Sequence, residues 1–181
     1  NLRLVKKEDS EALRQLYATY VKESVITFEY EVPDSEAFLQ RVETIAKDYP
    51  YLVWEIDHDI AGYAYAHRHM ERAAYDWNVE LSIYLDERYQ KQGIGKALYT
   101  ALLDILKLQH IRNAYSCITV PNASSLALHA SFGFVEIGRF PHCGYKHGAW
   151  HDIVWLGKDL GKDTQPQPWL RIQEVDEKAV A

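Results

Sequence analysis

The stretch Ile83–Ala97, with the sequence IYLDERYQKQGIGKA, carries the pattern that decides the fold. An apolar run ends at Leu85, a polar turn follows, and Gly93 and Gly95 lie where an amphipathic helix begins. A helix N-terminus presents unpaired N–H groups and the positive end of the helix dipole, and glycine lets a phosphate approach the backbone closely. The pattern therefore predicts a strand, a phosphate-binding turn and a helix, with a pyrophosphate as the expected ligand.

Local charge supports this interpretation, and two other nucleotide-binding patterns fail. Arg88, Lys91 and Lys96 bring positive charge to a chain whose formal net charge is −6. A Walker loop needs Ser or Thr after its Gly-Lys pair, whereas Ala97 follows Lys96 here. A dinucleotide-binding loop needs a third glycine where this chain has Leu98. A glycine-tolerant helix start without a ligand is the remaining alternative.

Hydrophobic periodicity places further elements on both sides of this stretch. The order of the elements predicts one domain of the α/β (α+β) class, with helices packed on a mixed, mostly antiparallel sheet. The segment 25–30 is expected to be an extended loop near a site, and the tail beyond 158 a surface extension. Helices are predicted at about residues 10–24, 35–46, 93–109 and 123–131, and strands at about 2–5, 51–56, 60–69, 79–85, 114–120, 134–140 and 150–156.

Composition excludes several functional classes. The chain has 181 residues, of which 48% are hydrophobic and 25% charged, as expected for one globular domain with its own core. No apolar run is long enough to cross a bilayer, and we expect no secretory signal. The negative net charge argues against a nucleic-acid-binding surface. Cys117 and Cys143 form no CxxC pair, which favours a reduced, cytoplasmic protein.

Eight histidines raise the possibility of a metal site. His67 and His69 share one face of a predicted strand, and His142, His147 and His151 lie close together late in the chain. There is no HExxH motif, and no carboxylate or cysteine completes a recognisable set of ligands. We therefore expect no metal cofactor.

Two motifs carry a resemblance to a known superfamily. Residues 90–95, QKQGIG, resemble the Q/R-x-x-G-x-G/A motif of GNAT acetyltransferases, and residues 122–134, NASSLALHASFGF, are similar to their N-x-x-S-x-x-L-[HY]-x-x-x-G-F segment. Together with 79–85 and 145–152, these motifs resemble the phosphinothricin and methionine sulfoximine N-acetyltransferase branch. The likeness implies a GNAT domain over residues 1–158, with helices on both faces of the sheet, and a C-terminal extension over 159–181.

The resemblance also implies a reaction. The acetyl group of acetyl-CoA, the cosubstrate, would move to the primary amine of a small amino-acid-like substrate by direct attack in a ternary complex. A homodimer is implied as well, with no nucleic-acid or membrane partner. Two alternatives stay open: an enzyme that acetylates proteins or peptides, and a catalytically silent acetyl-CoA-binding regulatory domain.

Two catalytic residues follow from the resemblance. An α-amino group has a pKa of about 7.7–8.0, so a base must remove a proton before the amine can attack at neutral pH. Glu80, in an alternating strand, is the candidate base, and burial would have to make it a stronger one. His129 occupies the position where many GNAT enzymes carry the tyrosine that protonates the CoA sulfur. As a histidine, it is either an acid or a substrate contact.

The resemblance also implies which residues bind acetyl-CoA and the amine. The strand end 83–85 is expected to splay from its neighbour, which would free backbone groups for the pantetheine and the thioester carbonyl. Ser125 is either a CoA contact or a helix cap. Arg72 and Lys146 could pair with carboxylate or phosphinate oxygens. The candidates for acetyl-CoA are Ile83, Tyr84, Leu85, Lys91, Gln92, Gly93, Ile94, Gly95, Lys96, Asn122 and Ser125, and those for the amine are Phe28, Tyr65, Arg72, Tyr75, Lys146 and His147.

Overall fold

The computed structural model describes residues 1–175 and contains one mixed sheet. The strands stand in the order β1-β2-β3-β4-β5-β7-β6, and every neighbouring pair is antiparallel except β4 and β5, which run parallel. This arrangement confirms the predicted fold class. The strands are β1 (Leu2–Leu4), β2 (Tyr51–Ile56), β3 (Asp59–Arg68), β4 (Asn78–Leu85), β5 (Asn113–Val120), β6 (Val135–Lys146) and β7 (Ala149–Asp159), and the helices are α1 (Ser10–Glu23), α2 (Ser35–Asp48), α3 (Ile94–Leu108) and α4 (Ala123–Ser131).

The two N-terminal helices begin differently, although both follow an aspartate. Asp34 caps α2, since its carboxylate accepts a hydrogen bond from the backbone N–H of Ala37 at 2.8 Å. Asp9 precedes α1, but its carboxylate accepts hydrogen bonds from both terminal nitrogens of Arg3, at 2.8 and 2.9 Å, and from the backbone N–H of Lys6. A charged partner within reach therefore takes precedence over helix capping at Asp9.

Helices cover both faces of the sheet and form two cores. On one face α1 and α2 pack against tyrosines of β2 and β3, including Tyr51, Tyr63 and Tyr65. On the other face α3 packs its apolar stripe against small residues of β3, such as Ala64 and Ala66. Small and large residues alternate along β3, so the alanines face the closely packed helix α3 and the tyrosines face α1 and α2.

The last two strands are longer than predicted and form a hairpin around His147 and Gly148. The predicted strand ended at about Phe140, one residue before Pro141. The structure keeps Pro141 inside β6, where the register shifts between Phe140 and Gly144. An edge strand tolerates proline because one side of its backbone has no ladder partner, and β6 is the edge of this sheet.

The described part of the tail, 160–175, lies against the domain. The ring of Trp169 stacks on Tyr49 with centroids 5.5 Å apart, and the Gln109 side chain donates a hydrogen bond to the Leu170 carbonyl at 2.9 Å. The predicted boundary at 158 stays a prediction, and its final residues, 176–181, lie outside the described part. Across residues 1–175, no helix combines the length and the apolar character that crossing a bilayer requires.

Candidate active site

The strands β4 and β5 separate in the middle of the sheet. Their parallel pairing ends where Glu80 faces Tyr115, although β4 continues to Leu85 and β5 to Val120. Backbone groups on the β5-facing side of residues 81–85 therefore lack ladder partners. A narrow cleft of about 70 Å³ occupies the gap, lined by Ile26, Leu81, Ser82, Ile83, Tyr84, Tyr99, Cys117, Ile118, Thr119, Asn122, Ser125 and His129.

The N-terminus of α3 opens beside this cleft. Gly93 precedes the helix with φ +80°, a left-handed conformation that favours glycine, and a Cβ added there would meet nothing within 4 Å. No side chain caps the helix, so its first N–H groups are available to a ligand. Gly95 lies in the first turn, where a Cβ would come within 3.5–3.7 Å of Ile83, Leu85 and Leu128. The uncapped amides and the close-packed glycine fit a pyrophosphate.

The charges near this turn are not equally available. The side chain of Arg88 contacts Asp86 at 2.9 Å, and this contact lowers the pKa of the aspartate carboxyl group. Lys91 and Lys96 are both exposed. The lysines are therefore the better placed of the three predicted cations to meet a phosphate.

Asn122 and Ser125 lie at the start of α4, at the other wall of the cleft. The side-chain oxygen of Asn122 accepts a hydrogen bond from the backbone N–H of Ser125 at 3.2 Å and so caps the helix. The Asn122 amide nitrogen is left to reach a ligand. Of the two roles considered for Ser125, its backbone takes part in capping, and the residue also lines the cleft.

Glu80 projects from β4 toward a histidine of β3. Its Oε2 lies 3.0 Å from Nε2 of His67, and the two side chains are 22% and 33% exposed. The other ring nitrogen of His67, Nδ1, lies 3.0 Å from the carbonyl oxygen of Arg68. Sequence reasoning singled out His67 only as a metal candidate. The β3–β4 register, which pairs His67 with Glu80, is the signal that identifies the contact.

His129 is fully buried at the base of the cleft, with an exposed fraction of 0%. Its Nδ1 lies 2.7 Å from the carbonyl oxygen of Ser125, and its Nε2 lies 2.8 Å from the hydroxyl of Tyr99 and 3.0 Å from that of Ser116. A carbonyl only accepts, so Nδ1 donates and Nε2 accepts. Burial lowers the pKa of the imidazole, which keeps it neutral. This geometry links three elements and gives no direct support to either predicted catalytic role.

Two predicted substrate residues come together beneath the β6–β7 hairpin. The ammonium group of Lys146 donates a hydrogen bond to the carbonyl of Thr27 at 2.8 Å, and burial lowers its pKa. The ring of Phe28 fills the space above Gly144, where an added Cβ would lie only 2.2 Å from the ring. The predicted loop 25–30 is thus fixed against the hairpin, and Lys146 anchors it from a buried position.

The remaining substrate candidates are scattered. Tyr65 lies near Glu80, since its ring centroid is 5.9 Å from that of His67. Arg72 and Tyr75 occupy the exposed β3–β4 connection, and His147 lies exposed in the hairpin turn. Tyr65 also lines a cavity of about 550 Å³ whose other walls were missed from the sequence: Tyr17, Glu29, Ala37, Phe38, Gln40, Arg41, Val42, Thr44, Ile45, Tyr51 and Tyr63.

Cys117 is a further group on the Glu80 side of the sheet. Burial, aided by the negative charge of Glu80, raises the pKa of this thiol to about 12, so it stays protonated and is a poor nucleophile. Within residues 1–175, no three His, Cys, Asp or Glu side chains are grouped to hold a metal ion. The expectation of no metal cofactor remains a prediction.

Comparison with known proteins agrees with this geometry. A family described as acetyltransferase (GNAT) domain matches residues 2–155. Phosphinothricin N-acetyltransferase of Streptomyces viridochromogenes is 33% identical over 92% of this chain and 91% of its own length. L-methionine sulfoximine/L-methionine sulfone acetyltransferase of Salmonella typhimurium is 26% identical over 91% of this chain and 97% of its own.

A solved structure shares the fold and about a third of the sequence. The GNAT superfamily phosphinothricin acetyltransferase of Sinorhizobium meliloti, determined in complex with acetyl-CoA, is 32% identical, superimposes with a TM-score of 0.90 and covers 97% of each chain. The separated strands and the open start of α3 thus occur in a chain that matches this family over most of its length. The protein is an acetyltransferase and belongs to the GNAT family.

Proposed function

We propose that the protein transfers the acetyl group of acetyl-CoA to the primary amine of a small amino-acid-like substrate, by direct attack in a ternary complex. The observation that carries this proposal is the position of Glu80, the last residue of β4 that pairs with β5, at the point where these two strands begin to separate. A base at that point stands at the mouth of the gap, and the amine can meet the thioester there without a covalent intermediate on the protein.

The residues around the gap supply what the reaction needs. The start of α3, with Gly93, Lys91 and Lys96, would hold the pyrophosphate of acetyl-CoA. At the end of β4 the alternate residues Ile83 and Leu85 direct their backbone groups toward the gap, whereas Tyr84 pairs with Tyr63 of β3. A free N–H on the gap side would donate to the thioester oxygen as charge develops there. The Leu85 carbonyl already accepts a hydrogen bond from the hydroxyl of Tyr20, which fixes the end of β4. Acetyl-CoA brings the acetyl thioester itself.

The acceptor side supports an amino-acid-like amine. The relatives named above act, by their names, on phosphinothricin and on methionine sulfoximine or sulfone, which are compact amino-acid analogues. In this chain the 550 Å³ cavity opens beside Tyr65, on the same face of the sheet as Glu80, and Arg41 pairs with Glu29 at its wall. The cavity is large enough for the side chain of an amino acid, with the α-amino group toward Glu80.

His129 has a different part in this proposal. A neutral imidazole whose one ring proton is donated to the Ser125 carbonyl is not placed to protonate a departing thiolate. We assign it to holding α4 and β5 at the distance that keeps the cleft open. Proton transfer to the CoA sulfur would then come from the amine that has just reacted, and not from His129.

Assembly and compartment are part of the proposal. Strand β6 leaves large apolar side chains exposed at the sheet edge, among them Phe140, Tyr145 and, across the hairpin, Trp150. Such a patch favours burial in a contact between two copies, and we propose a homodimer, which light scattering would detect. Cys117 and Cys143 are both free thiols, as suits a cytoplasmic protein. We propose no nucleic-acid or membrane partner.

The proposal is tested by measuring CoA release with a thiol reagent. The acceptors would be phosphinothricin, methionine sulfoximine, methionine sulfone, the common amino acids and a short peptide. We expect turnover with the amino-acid analogues and little with the peptide. Preferential turnover of the peptide would replace the proposal with protein acetylation. Binding of acetyl-CoA, measured by calorimetry, without turnover of any amine would favour the silent regulatory domain.

A further inference from the structure

We propose that His67 and Glu80 act as one proton-accepting unit, in which His67 is the positioning and proton-storing partner of the base. The proposal rests on the proposed function for its kinetic part only. Its structural part concerns where a proton resides in the folded protein, and that can be tested without any turnover.

The contacts of the His67 ring carry the argument. One nitrogen, Nδ1, faces the Arg68 carbonyl at 3.0 Å, and the other, Nε2, faces the Glu80 carboxylate at 3.0 Å. Both partners are acceptors, and a neutral imidazole has only one N–H to donate. With a neutral ring and an ionised carboxylate, one nitrogen lone pair would point directly at an oxygen lone pair. The geometry therefore calls for one additional proton, shared between Nε2 of His67 and Oε2 of Glu80.

The side chains packed around the pair do not compete for that proton. Tyr65 lies on the β3 side, and burial raises the pKa of its hydroxyl. Cys117 lies on the β5 side as a neutral thiol with a raised pKa. Within the described residues, His67 forms the one salt bridge of Glu80. The extra proton thus belongs to the His67–Glu80 unit.

In this arrangement the contact between the two side chains gains from a proton. When the shared proton is absent, the Glu80 carboxylate and the His67 lone pair face each other, and taking up a proton relieves that repulsion. Once the unit has released its shared proton, an acceptor ammonium in the gap would give one proton to Glu80, and that proton would again lie between Oε2 and Nε2. Since a third of the His67 side chain is exposed, the ring can pass this proton to water and restore the unit.

The amine loses two protons in the course of the acetyl transfer. After the first proton has left, the amine lone pair forms the C–N bond, the C–S bond breaks, and the thiolate departs with its electron pair. The acylated nitrogen then loses a second proton, which gives the CoA thiol. His67 handles the first of these two protons and takes no part in the second.

The first experiment observes the proton directly by nitrogen-15 NMR of the histidine rings in the ligand-free protein. We expect His67 to keep both ring protons to a higher pH in the wild type than in Glu80→Gln, whose neutral amide can satisfy a neutral ring. Loss of the second proton at the same pH in both proteins would overturn the proposal. Because no acetyl transfer is measured, this result is independent of whether the proposed function holds.

The second experiment measures the pH profile of kcat/KM with an amine that the wild type acetylates. Replacing His67 by Gln keeps a donor to Glu80 but cannot store a proton, so we expect the acid limb to move to lower pH and kcat at neutral pH to fall by about tenfold. In His67→Gly, added imidazole should restore part of the rate. An unchanged pH profile in His67→Gln would reduce His67 to a structural contact and refute the proposal.

The matched control is His58→Gln. His58 also lies near a glutamate, with Nδ1 4.0 Å from Oε1 of Glu55, but its side chain is fully exposed and far along the chain from Glu80. We expect this variant to retain the wild-type pH profile and rate. A shift as large as that of His67→Gln would show that the profile reports general surface charge and would overturn the assignment.

Discussion

Two histidines stand on opposite faces of the same sheet, and their surroundings assign them opposite tasks. His67, one-third exposed on β3, is flanked by two acceptors, a carbonyl and the Glu80 carboxylate. His129, fully buried on α4, is flanked by one carbonyl and by the hydroxyls of Tyr99 and Ser116. The first ring needs two protons to satisfy its neighbours, and the second needs one.

This difference shows that the hydrogen-bond partners of a histidine, more than its motif position, define what it can do. The hydroxyls of Tyr99 and Ser116 can donate, so they stabilise a neutral His129 and its lone pair. A carboxylate cannot donate when ionised, so it stabilises a charged ring. We therefore expect proton chemistry at the His67–Glu80 pair and structural support at His129.

The largest effect should come from Glu80→Gln, which removes the proton-accepting carboxylate from the His67–Glu80 pair. The amide keeps the shape of the side chain but cannot take a proton from the amine. We expect kcat to fall by roughly 10²–10⁴-fold, the usual contribution of general base catalysis, with acetyl-CoA affinity nearly unchanged. CoA release and calorimetric titration with acetyl-CoA measure the two quantities separately.

A matched control is Glu136→Gln on the exposed edge strand β6, whose carboxylate meets only Arg139, at 3.7 Å, in the described structure. It should retain wild-type kcat. If Glu80→Gln remained fully active with saturating amine at alkaline pH, its loss at neutral pH would be attributable to general base catalysis. Full activity of Glu80→Gln at neutral pH would remove Glu80 as the base.

His129→Leu tests the structural role assigned to the second histidine. The change leaves the Ser125 carbonyl and the Tyr99 and Ser116 hydroxyls without their shared partner, at about 1–3 kcal/mol for each buried group left unpaired. We expect the free energy of unfolding, measured in urea, to drop by roughly 2–4 kcal/mol after partial relaxation. The kcat of the protein that remains folded should change far less than in Glu80→Gln. A large loss of kcat at unchanged stability would instead restore His129 as the predicted acid.

The same two histidines show how far sequence reasoning reached. The turn around Gly93 was predictable because its signal is local: a strand end, a polar turn and glycines within a few residues. The elements that position Glu80 were found for the same reason. The His67–Glu80 contact depends on the register across a long connection between β3 and β4, which local patterns do not determine. The burial of His129 depends on Tyr99 from a different helix.

A smaller effect is expected where the loop 25–30 meets the β6–β7 hairpin. In Gly144→Ala, the new methyl group would overlap the Phe28 ring, which lies 2.2–2.6 Å from the Cβ position. The ring must move, and we expect kcat/KM for the amine to fall by about tenfold because a predicted substrate contact shifts. Gly138→Ala, on the same strand, is the control, since a Cβ there meets nothing within 4 Å. Equal kinetics in both variants would place Phe28 outside the substrate site.

The smallest expected effect is on how the stability of the protein depends on pH. Burial lowers the pKa of His129 in the folded protein below the ordinary value of 6.5, so the unfolded chain binds a proton first as pH falls. Stability attributable to the neutral ring is therefore present above about pH 6.5 and lost below it, until the folded-state pKa is reached. Urea unfolding across this range should give a steeper decline for the wild type than for His129→Leu, whatever their absolute stabilities. If the stability curves of the two proteins ran parallel, His129 would titrate alike in the folded and unfolded states. If the curves converged toward low pH, His129 would be shown to stay neutral in the folded protein.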